Sequence, residues 1–145
     1  MSAEGQVLIG RLGLAAIAAA GWRPKAIGGL TMGADPVACA IAAASWGTAF
    51  TMDAFSVRKE PKGHGLGQLI EGNLRAGDEA VVVEDVITSG GSAAKAIAAV
   101  EAAGARVLGV LAVVDRQQGG RERIVQDGHE VVSITTTSEL GLVPA

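Results

Sequence analysis

The sequence has 145 residues, a length that suits one domain and is too short for two. Hydrophobic residues make up 49% of it, enough for a sizeable core, whereas aromatic residues make up only 3%. The 12 basic and 15 acidic residues leave a net charge of −3 with no basic block, which argues against a nucleic-acid partner.

The first half of the chain predicts helices that alternate with strands. Residues 3–20 have helical apolar spacing, with Leu8, Leu12, Ala15 and Ala19 on one stripe. Pro36 suits the first turn of a second helix. The predicted elements are a helix at 3–20, a strand at 26–30, a helix at 36–46, a strand at 48–57 and a charged, Gly-rich loop at 58–67.

The second half continues the alternation, and Thr137 and Ser138 are expected to cap a last turn. The predicted elements are a return strand at 68–71, a turn at 75–78, a buried strand at 80–84, a loop at 85–90, a helix at 91–103, a strand at 107–114, a helix at 120–127 and a strand at 130–135. This order predicts an α/β fold with a mostly parallel central sheet flanked by helices. Ligands are expected at the carboxyl ends of its strands.

Cys39 is the only cysteine, which excludes an intrachain disulfide and fits a reducing compartment. We expect it to be a small buried residue. No apolar stretch reaches the length of a membrane span, and the start of the chain lacks the basic region of a signal peptide. These features predict a cytoplasmic protein without a membrane partner.

The strongest functional signal is the segment 81–92. A buried strand ends in Glu84 and Asp85, and a turn rich in Thr, Ser and Gly then opens a helix. Backbone N–H groups at a helix N-terminus bind anions, and glycines let the backbone approach a phosphate closely. The two carboxylates are suited to accept hydrogen bonds from vicinal hydroxyls, so a ligand with a sugar diol and a phosphate fits both halves.

Other interpretations of this segment fit less well. The sequence has no G-x-x-x-x-G-K-[ST] motif, and no G-x-G-x-x-G motif follows a strand, so neither a triphosphate P-loop nor a dinucleotide site is predicted. The remaining alternative is an acidic strand end that happens to precede an ordinary helix N-cap.

Segment 81–92 resembles the signature of type I phosphoribosyltransferases that binds phosphoribosyl pyrophosphate (PRPP). The resemblance implies that the acidic pair holds the 2′- and 3′-hydroxyls of the ribose, and that the following loop holds the 5′-phosphate. The implied PRPP-binding residues in this segment are Glu84, Asp85, Val86, Ile87, Thr88, Ser89, Gly90, Gly91 and Ser92.

Residues 58–65 place three cations and a histidine close together. The segment resembles the R-K-x-x-K-x-H-G catalytic loop of orotate phosphoribosyltransferases, which closes over pyrophosphate and often reaches the partner subunit's active site. Lys62 would neutralise the departing pyrophosphate, and Arg58, Lys59 and His64 would help to bind it. The resemblance implies a homodimer that shares the loop 58–66, whereas the alternative is a solvated basic loop. No metal role is expected for the histidine, because no second His or Cys lies at ligand spacing.

Residues 28–36 follow a strand, open a helix and resemble the family's pyrophosphate loop. The resemblance implies PRPP-binding backbone amides at Thr31, Met32, Gly33 and Ala34. This loop has no lysine, although many family members have one there. The alternative is a plain connection between strand and helix.

Arg116 follows a predicted strand, and its planar guanidinium suits a carboxylate. Residues 115–120 resemble the D-R-x-x-G-G motif of orotate enzymes, whose arginine contacts orotate. The implied orotate-binding residues are Arg116 and Thr88. The alternative is a surface arginine.

The resemblance extends over about residues 6–141 and implies one phosphoribosyltransferase domain at 1–145. The implied reaction transfers ribose 5-phosphate from PRPP to orotate in pyrimidine (UMP) biosynthesis, with Mg²⁺ held mostly by ligand and water rather than by a protein metal site. The alternatives are a phosphoribosyltransferase for another base and a non-catalytic PRPP-binding regulator or subunit.

Family members usually begin with a further segment that contains an S-G-x-x-S-x-Y-Y-x-D-like strand and caps the base. The present sequence starts inside the following helix, with Ser2 as a plausible N-cap. We therefore expect an incomplete N-terminal hood in a truncated chain, which would bind PRPP normally and orotate poorly.

Overall fold

Four helices and six strands make up the part of the chain that the computed structural model describes, residues 1–62 and 69–142. The helices are α1 (Ala3–Ala19), α2 (Ala34–Ser45), α3 (Gly91–Ala102) and α4 (Gly120–Gln126). The strands are β1 (Ala26–Leu30), β2 (Asp53–Val57), β3 (Ile70–Gly72), β4 (Glu79–Ile87), β5 (Arg106–Asp115) and β6 (Val131–Thr136). No helix within these ranges is long and apolar enough to cross a membrane.

The strands form one sheet in the order β3-β2-β1-β4-β5-β6. Only β3 runs antiparallel to its neighbour, so the predicted α/β fold with a mostly parallel sheet is confirmed. From β1 the chain moves outward to β2, whereas from β4 it moves outward in the other direction to β5. The order therefore reverses between β1 and β4, and open α/β sheets bind ligands at such a reversal.

The helices cover both faces of the sheet. Side chains of α1 and α2, including Ile17 and Ile41, form one core cluster, and α3 and α4 contribute to a second. Successive residues of a strand point to opposite faces. Thus Val81 and Val83 of β4 belong to the first cluster, while Val82 belongs to the second.

Helix α1 forms where predicted, but its apolar stripe is not its buried face. Leu8 and Leu12, on the predicted stripe, are 48% and 51% exposed. The buried positions include Gly10 and Ile17 instead. A Cβ atom on Gly10 would lie 2.6 Å from the carbonyl oxygen of Ala40, so α1 can pack directly against the backbone of α2 only because no side chain intervenes.

Three further predictions need correction. Strand β2 begins at Asp53, not at residue 48, and Ser45 Oγ accepts a hydrogen bond from the Met52 N–H in the preceding turn (3.0 Å). Strand β4 continues through Asp85 to Ile87, so the loop begins only at residue 88. Cys39 is exposed, not buried.

The expected capping role of Thr137 and Ser138 is also wrong. In the last turn the N–H of Glu139 donates to Thr136 Oγ1 (3.1 Å). The hydroxyls of Thr137 and Ser138 donate instead to the side chain of Gln117, which follows β5. This contact joins the ends of two strands and bears on the site described below.

Candidate active site

Two loops meet where β1 and β4 end. Residues 31–33 connect β1 to α2, and residues 88–90 connect β4 to α3. A Cβ atom on Gly33 would lie 2.7 Å from Asp85 Oδ2, so the first loop lies directly against a carboxylate of β4. The structure therefore brings together two of the segments that the sequence marked as ligand-binding.

The loop after β4 presents a row of backbone donors. Within the described part of the chain, the N–H groups of residues 88–93 have no hydrogen-bond acceptor, since α3 makes its first such bond from Ala94 to the Gly90 carbonyl (3.0 Å). Gly90 adopts φ 77°, a left-handed conformation that glycine reaches without steric cost. These donors and the positive end of α3 favour an anion.

These donors line a cleft of about 200 Å³. Its lining residues are Glu84, Val86, Ile87, Thr88, Ser89, Gly90, Gly91, Ser92 and Ala93. All the residues predicted for the diol and the phosphate except Asp85 therefore surround one space.

Helix α4 supports the loop at residues 88–90, the predicted phosphate loop, from behind. A Cβ atom on Gly120 would lie 2.5 Å from the Thr88 carbonyl oxygen, and one on Gly90 would lie 2.9 Å from the Gly120 carbonyl oxygen. At the rim, the guanidinium of Arg123 lies 3.5 Å from the carbonyl oxygen of Ser89. The backbone of the loop is thus held against the backbone of the segment that follows β5.

Glu84 is the unusual titratable group of the site. Its side chain belongs to a residue only 7% exposed, and its Oε1 atom is buried without a hydrogen-bond partner among the described residues. Burial, and secondarily the negative charge of Asp85, raises the pKa of the Glu84 carboxyl from 4.5 to about 7. An unpartnered acceptor inside a cleft lined with donors is suited to a ligand that brings a hydroxyl group to it.

Asp85 has a different environment. Its carboxylate is exposed, and Oδ1 accepts a hydrogen bond from the N–H of Val86 (2.8 Å). Since neighbouring residues of a strand face opposite ways, Glu84 lines the cleft formed with residues 86–93, while Asp85 lies against Gly33. The two predicted carboxylates thus border two adjacent loops.

The loop after β1 offers fewer donors than predicted. The N–H of Thr31 donates to the Val57 carbonyl (2.9 Å), so this amide is engaged in the sheet. The N–H groups of Met32, Gly33 and Ala34 have no acceptor within residues 1–62 and 69–142, so three of the four predicted donors remain. Nearby, Asp35 Oδ1 accepts a hydrogen bond from Ser56 Oγ (2.7 Å).

This loop borders a second, wider cleft of about 740 Å³, which also contains the first predicted cations. Arg58 forms an ion pair with Glu71 across the hairpin of β2 and β3 (2.7 Å), while Lys59 and Lys62 are exposed. His64 lies outside the described residues. Arg58 and Lys59 line the cleft together with Thr31 and Met32, so four of the predicted pyrophosphate residues, two from each segment, border one space.

Arg116 stands at the end of β5, beside the phosphate loop. Its N–H donates to the carbonyl of Ile87 (3.0 Å), and its side chain is exposed. Sequence reasoning did not connect Arg116 with the residues that hold the backbone around it, namely Asp115, Gln117 and Thr137. No motif marks the last two, because they lie 20 residues apart and meet only through the pairing of β5 with β6.

Known proteins share this architecture. A family model described as "Phosphoribosyl transferase domain" matches residues 8–139. An orotate phosphoribosyltransferase of Rhodopirellula baltica is 47% identical over 145 residues, covering 97% of this chain and 75% of the relative.

Two solved structures give the same picture. Orotate phosphoribosyltransferase of Mycobacterium tuberculosis in complex with inorganic phosphate has a TM-score of 0.86 at 40% identity, over 98% of this chain and 76% of that one. The same enzyme in complex with PRPP has a TM-score of 0.82 at 41% identity, over 94% of this chain and 75% of that one. The present chain thus spans about three quarters of the length of these relatives.

The buried carboxyl of Glu84 makes stability depend on pH. Because its pKa rises from 4.5 to about 7 on folding, its contribution to stability is fully present below pH 4.5 and is lost as the pH rises through 7. Glu84→Gln should therefore be more stable than the wild type at pH 8, by at most about 3 kcal/mol.

Urea unfolding of both proteins between pH 5 and pH 8 measures this effect. The difference in the free energy of unfolding should grow with pH in favour of the glutamine variant. Glu122→Gln, on the exposed face of α4, is the matched control and should show no such trend. Parallel pH profiles for the wild type and Glu84→Gln would contradict the assignment.

Proposed function

The chain belongs to the phosphoribosyl transferase domain family, and we propose that it transfers ribose 5-phosphate from PRPP to orotate. The products are orotidine 5′-monophosphate and pyrophosphate, a step of pyrimidine (UMP) biosynthesis. One arrangement supports this reaction above all: the N–H groups of residues 88–93, which have no acceptor among the described residues, share a cleft with Glu84, whose Oε1 atom has no partner there. A phosphate and a sugar hydroxyl on one ligand satisfy both.

PRPP would lie across the two loops. The 5′-phosphate accepts hydrogen bonds from the N–H groups of residues 88–93, and one ribose hydroxyl donates to Glu84. The other hydroxyl faces Asp85, whose position against Gly33 directs the far end of the ligand toward the loop after β1. There the N–H groups of Met32 and Gly33 and the side chains of Arg58 and Lys59 would hold the pyrophosphate.

In the reaction, a ring nitrogen of orotate forms a bond to ribose C1′ as the bond from C1′ to the pyrophosphate oxygen breaks. The bonding electrons leave with pyrophosphate, and the proton of the ring nitrogen passes to solvent. Positive charge develops on the ribose and negative charge on the leaving group. The protein therefore acts chiefly by positioning and by electrostatic stabilisation, with Lys62 as the proposed cation near the leaving group and His64 as a further proposed contact.

Orotate differs from most bases in its carboxylate. The exposed guanidinium of Arg116, held beside the phosphate loop, is the proposed partner of that group. Thr88, at the junction of β4 and the loop, is the second proposed contact with the base.

Mg²⁺ is the proposed cofactor, and when bound it neutralises charge on the pyrophosphate. Among residues 1–62 and 69–142, no group of three or more His, Cys, Asp or Glu could hold a metal ion. The exposed carboxylate of Asp85 is an oxygen ligand of the kind that Mg²⁺ prefers, beside the proposed pyrophosphate loop. An ion bound there would be held mainly by the substrate and water, and Asp85 would be its contact from the protein.

The assembly and location are also part of the proposal. Residues 1–145 would form a single domain, since both core clusters lie on one sheet. We propose a homodimer in which the loop 58–66 of one subunit reaches the site of the other. A lone, unpaired Cys39 supports a reducing, cytoplasmic compartment.

The choice of base decides between this reaction and its alternatives. Pyrophosphate release should be measured with PRPP and Mg²⁺ in the presence of orotate, adenine, uracil or no base. We expect pyrophosphate release with orotate, and none with adenine, with uracil or without a base. Release with another base would identify a different phosphoribosyltransferase, and PRPP binding without release for any base would identify a non-catalytic PRPP-binding protein.

The diol assignment predicts a loss of PRPP affinity. Replacing both carboxylates, Glu84→Gln with Asp85→Asn, should weaken PRPP binding by roughly 10- to 100-fold, because each substitution removes a charged acceptor of a hydroxyl hydrogen bond. Calorimetry measures the affinity, and circular dichroism confirms that the variant is folded. Asp127→Asn, exposed after α4, is the control. Unchanged affinity in a folded double variant would refute the assignment.

Lys62 should act in the transition state. Lys62→Ala is expected to lower kcat on the order of 10²–10³-fold while PRPP affinity stays nearly constant, because charge on the leaving group builds only as the bond breaks. Lys25→Ala, at the amino end of β1 and away from the site, should behave as the wild type. A change in KM alone would make Lys62 a ground-state binder.

Mixing variants tests whether the loop is shared. Subunits with Lys62→Ala keep the PRPP cleft, and subunits with the two carboxylate substitutions keep the loop. If the loop crosses between subunits, mixed dimers contain one complete site, and an equal mixture should regain roughly a quarter of wild-type activity. A mixture as inactive as its parents would show that each loop serves its own subunit.

A further inference from the structure

Gln117 directly follows Arg116, the proposed base-binding residue. It has an unusual backbone conformation and a side chain with several hydrogen-bond donors around it. Its φ is 58°, and it is the only non-glycine residue with positive φ in the described ranges. Its Oε1 atom lies within hydrogen-bond distance of three donors from the turn after β6. These donors are Thr137 Oγ1 (3.0 Å), the Ser138 N–H (3.0 Å) and Ser138 Oγ (2.5 Å).

The neighbouring backbone is held on both sides. The Arg116 N–H donates to the Ile87 carbonyl (3.0 Å), and Thr137 Oγ1 lies 3.3 Å from the Arg116 carbonyl oxygen. The Thr137 N–H donates to the Asp115 carbonyl (3.0 Å). Asp115 is only 4% exposed, and its Oδ1 accepts a hydrogen bond from the Gln117 N–H (2.8 Å).

The side chain of Arg116, in contrast, makes no hydrogen bond or ion pair with any residue in the described parts of the chain, and it is exposed. Its direction is therefore set by its own backbone. A left-handed residue that is not glycine costs free energy and persists only where its surroundings hold it. Here the surroundings are Asp115, which accepts a hydrogen bond from the Gln117 N–H, and the turn after β6, which donates to the Gln117 side chain.

We propose that Gln117, Thr137 and Ser138 form a clasp that positions Arg116 for the carboxylate of the base. The three are positioning residues, since none of them needs to touch the substrate for this role. The inference rests on the proposed contact between Arg116 and orotate. It adds that affinity for the base is determined partly by the turn after β6, through one glutamine oxygen.

Two pairs of variants test the clasp. Gln117→Leu removes the acceptor oxygen at similar size. Gln126→Leu makes the same change at the exposed end of α4, where the glutamine side chain makes no hydrogen bond with any described residue. Thr137→Val removes the hydroxyl from a residue of the same shape, and Thr137→Ser restores it.

Gln117→Leu and Thr137→Val should each raise the KM for orotate by about five- to tenfold, the usual effect of losing one or two hydrogen bonds. The kcat at saturating orotate and the affinity for PRPP should stay within about twofold of the wild type, which a general loss of structure would not allow. Gln126→Leu and Thr137→Ser should keep the wild-type KM.

Amide hydrogen exchange provides a readout that does not depend on activity. Exchange at Arg116 and Gln117 should accelerate in Gln117→Leu and remain unchanged in Gln126→Leu. Unchanged exchange at these two amides would overturn the clasp, whatever the kinetics. Accelerated exchange with an unaltered KM for orotate would overturn its role in positioning.

Arg116→Ala separates this inference from the proposed function. If Arg116→Ala leaves the KM for orotate unchanged, the proposed base contact is wrong. If it raises that KM while Gln117→Leu and Thr137→Val do not, the contact stands and the clasp is refuted. If the wild type releases no pyrophosphate with orotate, the proposed function fails, and hydrogen exchange alone decides whether the clasp holds the loop.

Discussion

The parallel pairing of β1 with β4 is the constraint on which the site depends. Because the chain leaves these adjacent strands in opposite directions, α2 and α3 lie on opposite faces, and a crevice remains at the strand ends. Glycines in β1 make the pairing close. A Cβ atom on Gly29 would lie 2.1 Å from the Val83 carbonyl oxygen, and one on Gly28 would lie 2.2 Å from that of Phe55. Side chains at these positions would force β1 away from its neighbours.

The crevice is left with polar groups that have no partner among the described residues. On one side are backbone donors at the start of α3, and on the other is the acceptor of Glu84, desolvated and unpartnered. Either set of unsatisfied groups alone would destabilise the folded state. Together they define a ligand by its chemistry: it has an anionic group for the start of α3 and hydroxyl donors for the end of β4.

Much of this could be predicted from sequence because the relevant signals are local. The strand, the acidic pair and the glycine-rich turn are contiguous in residues 81–92, so one segment carries both the geometry and the chemistry of the cleft. The alternation of apolar strands with helices likewise predicted the parallel sheet. The extent of β4 was harder to predict, since Asp85 lies within the strand although its polarity is typical of a loop.

What could not be predicted depends on contacts between distant segments. The buried face of α1 is defined by Gly10 against the backbone of α2, a contact between small residues that hydrophobic spacing does not reveal. The pairing of Arg58 with Glu71 requires the antiparallel hairpin of β2 and β3. Nothing near Gln117 in the sequence indicates that its partners lie 20 residues further on.

The contact between Gly90 and Gly120 has a consequence for how the protein can evolve. Each glycine faces the other segment's backbone, so a methyl group at either position would meet a carbonyl oxygen that no substitution can shorten. The side chain of Ile124 also lies beside Gly90 and that of Ile87 beside Gly120, but trimming either one would leave these carbonyl oxygens in place. A random library should therefore yield revertants of a Gly90 or Gly120 substitution only at the original codon. These two positions cannot change, whereas the rest of the site can.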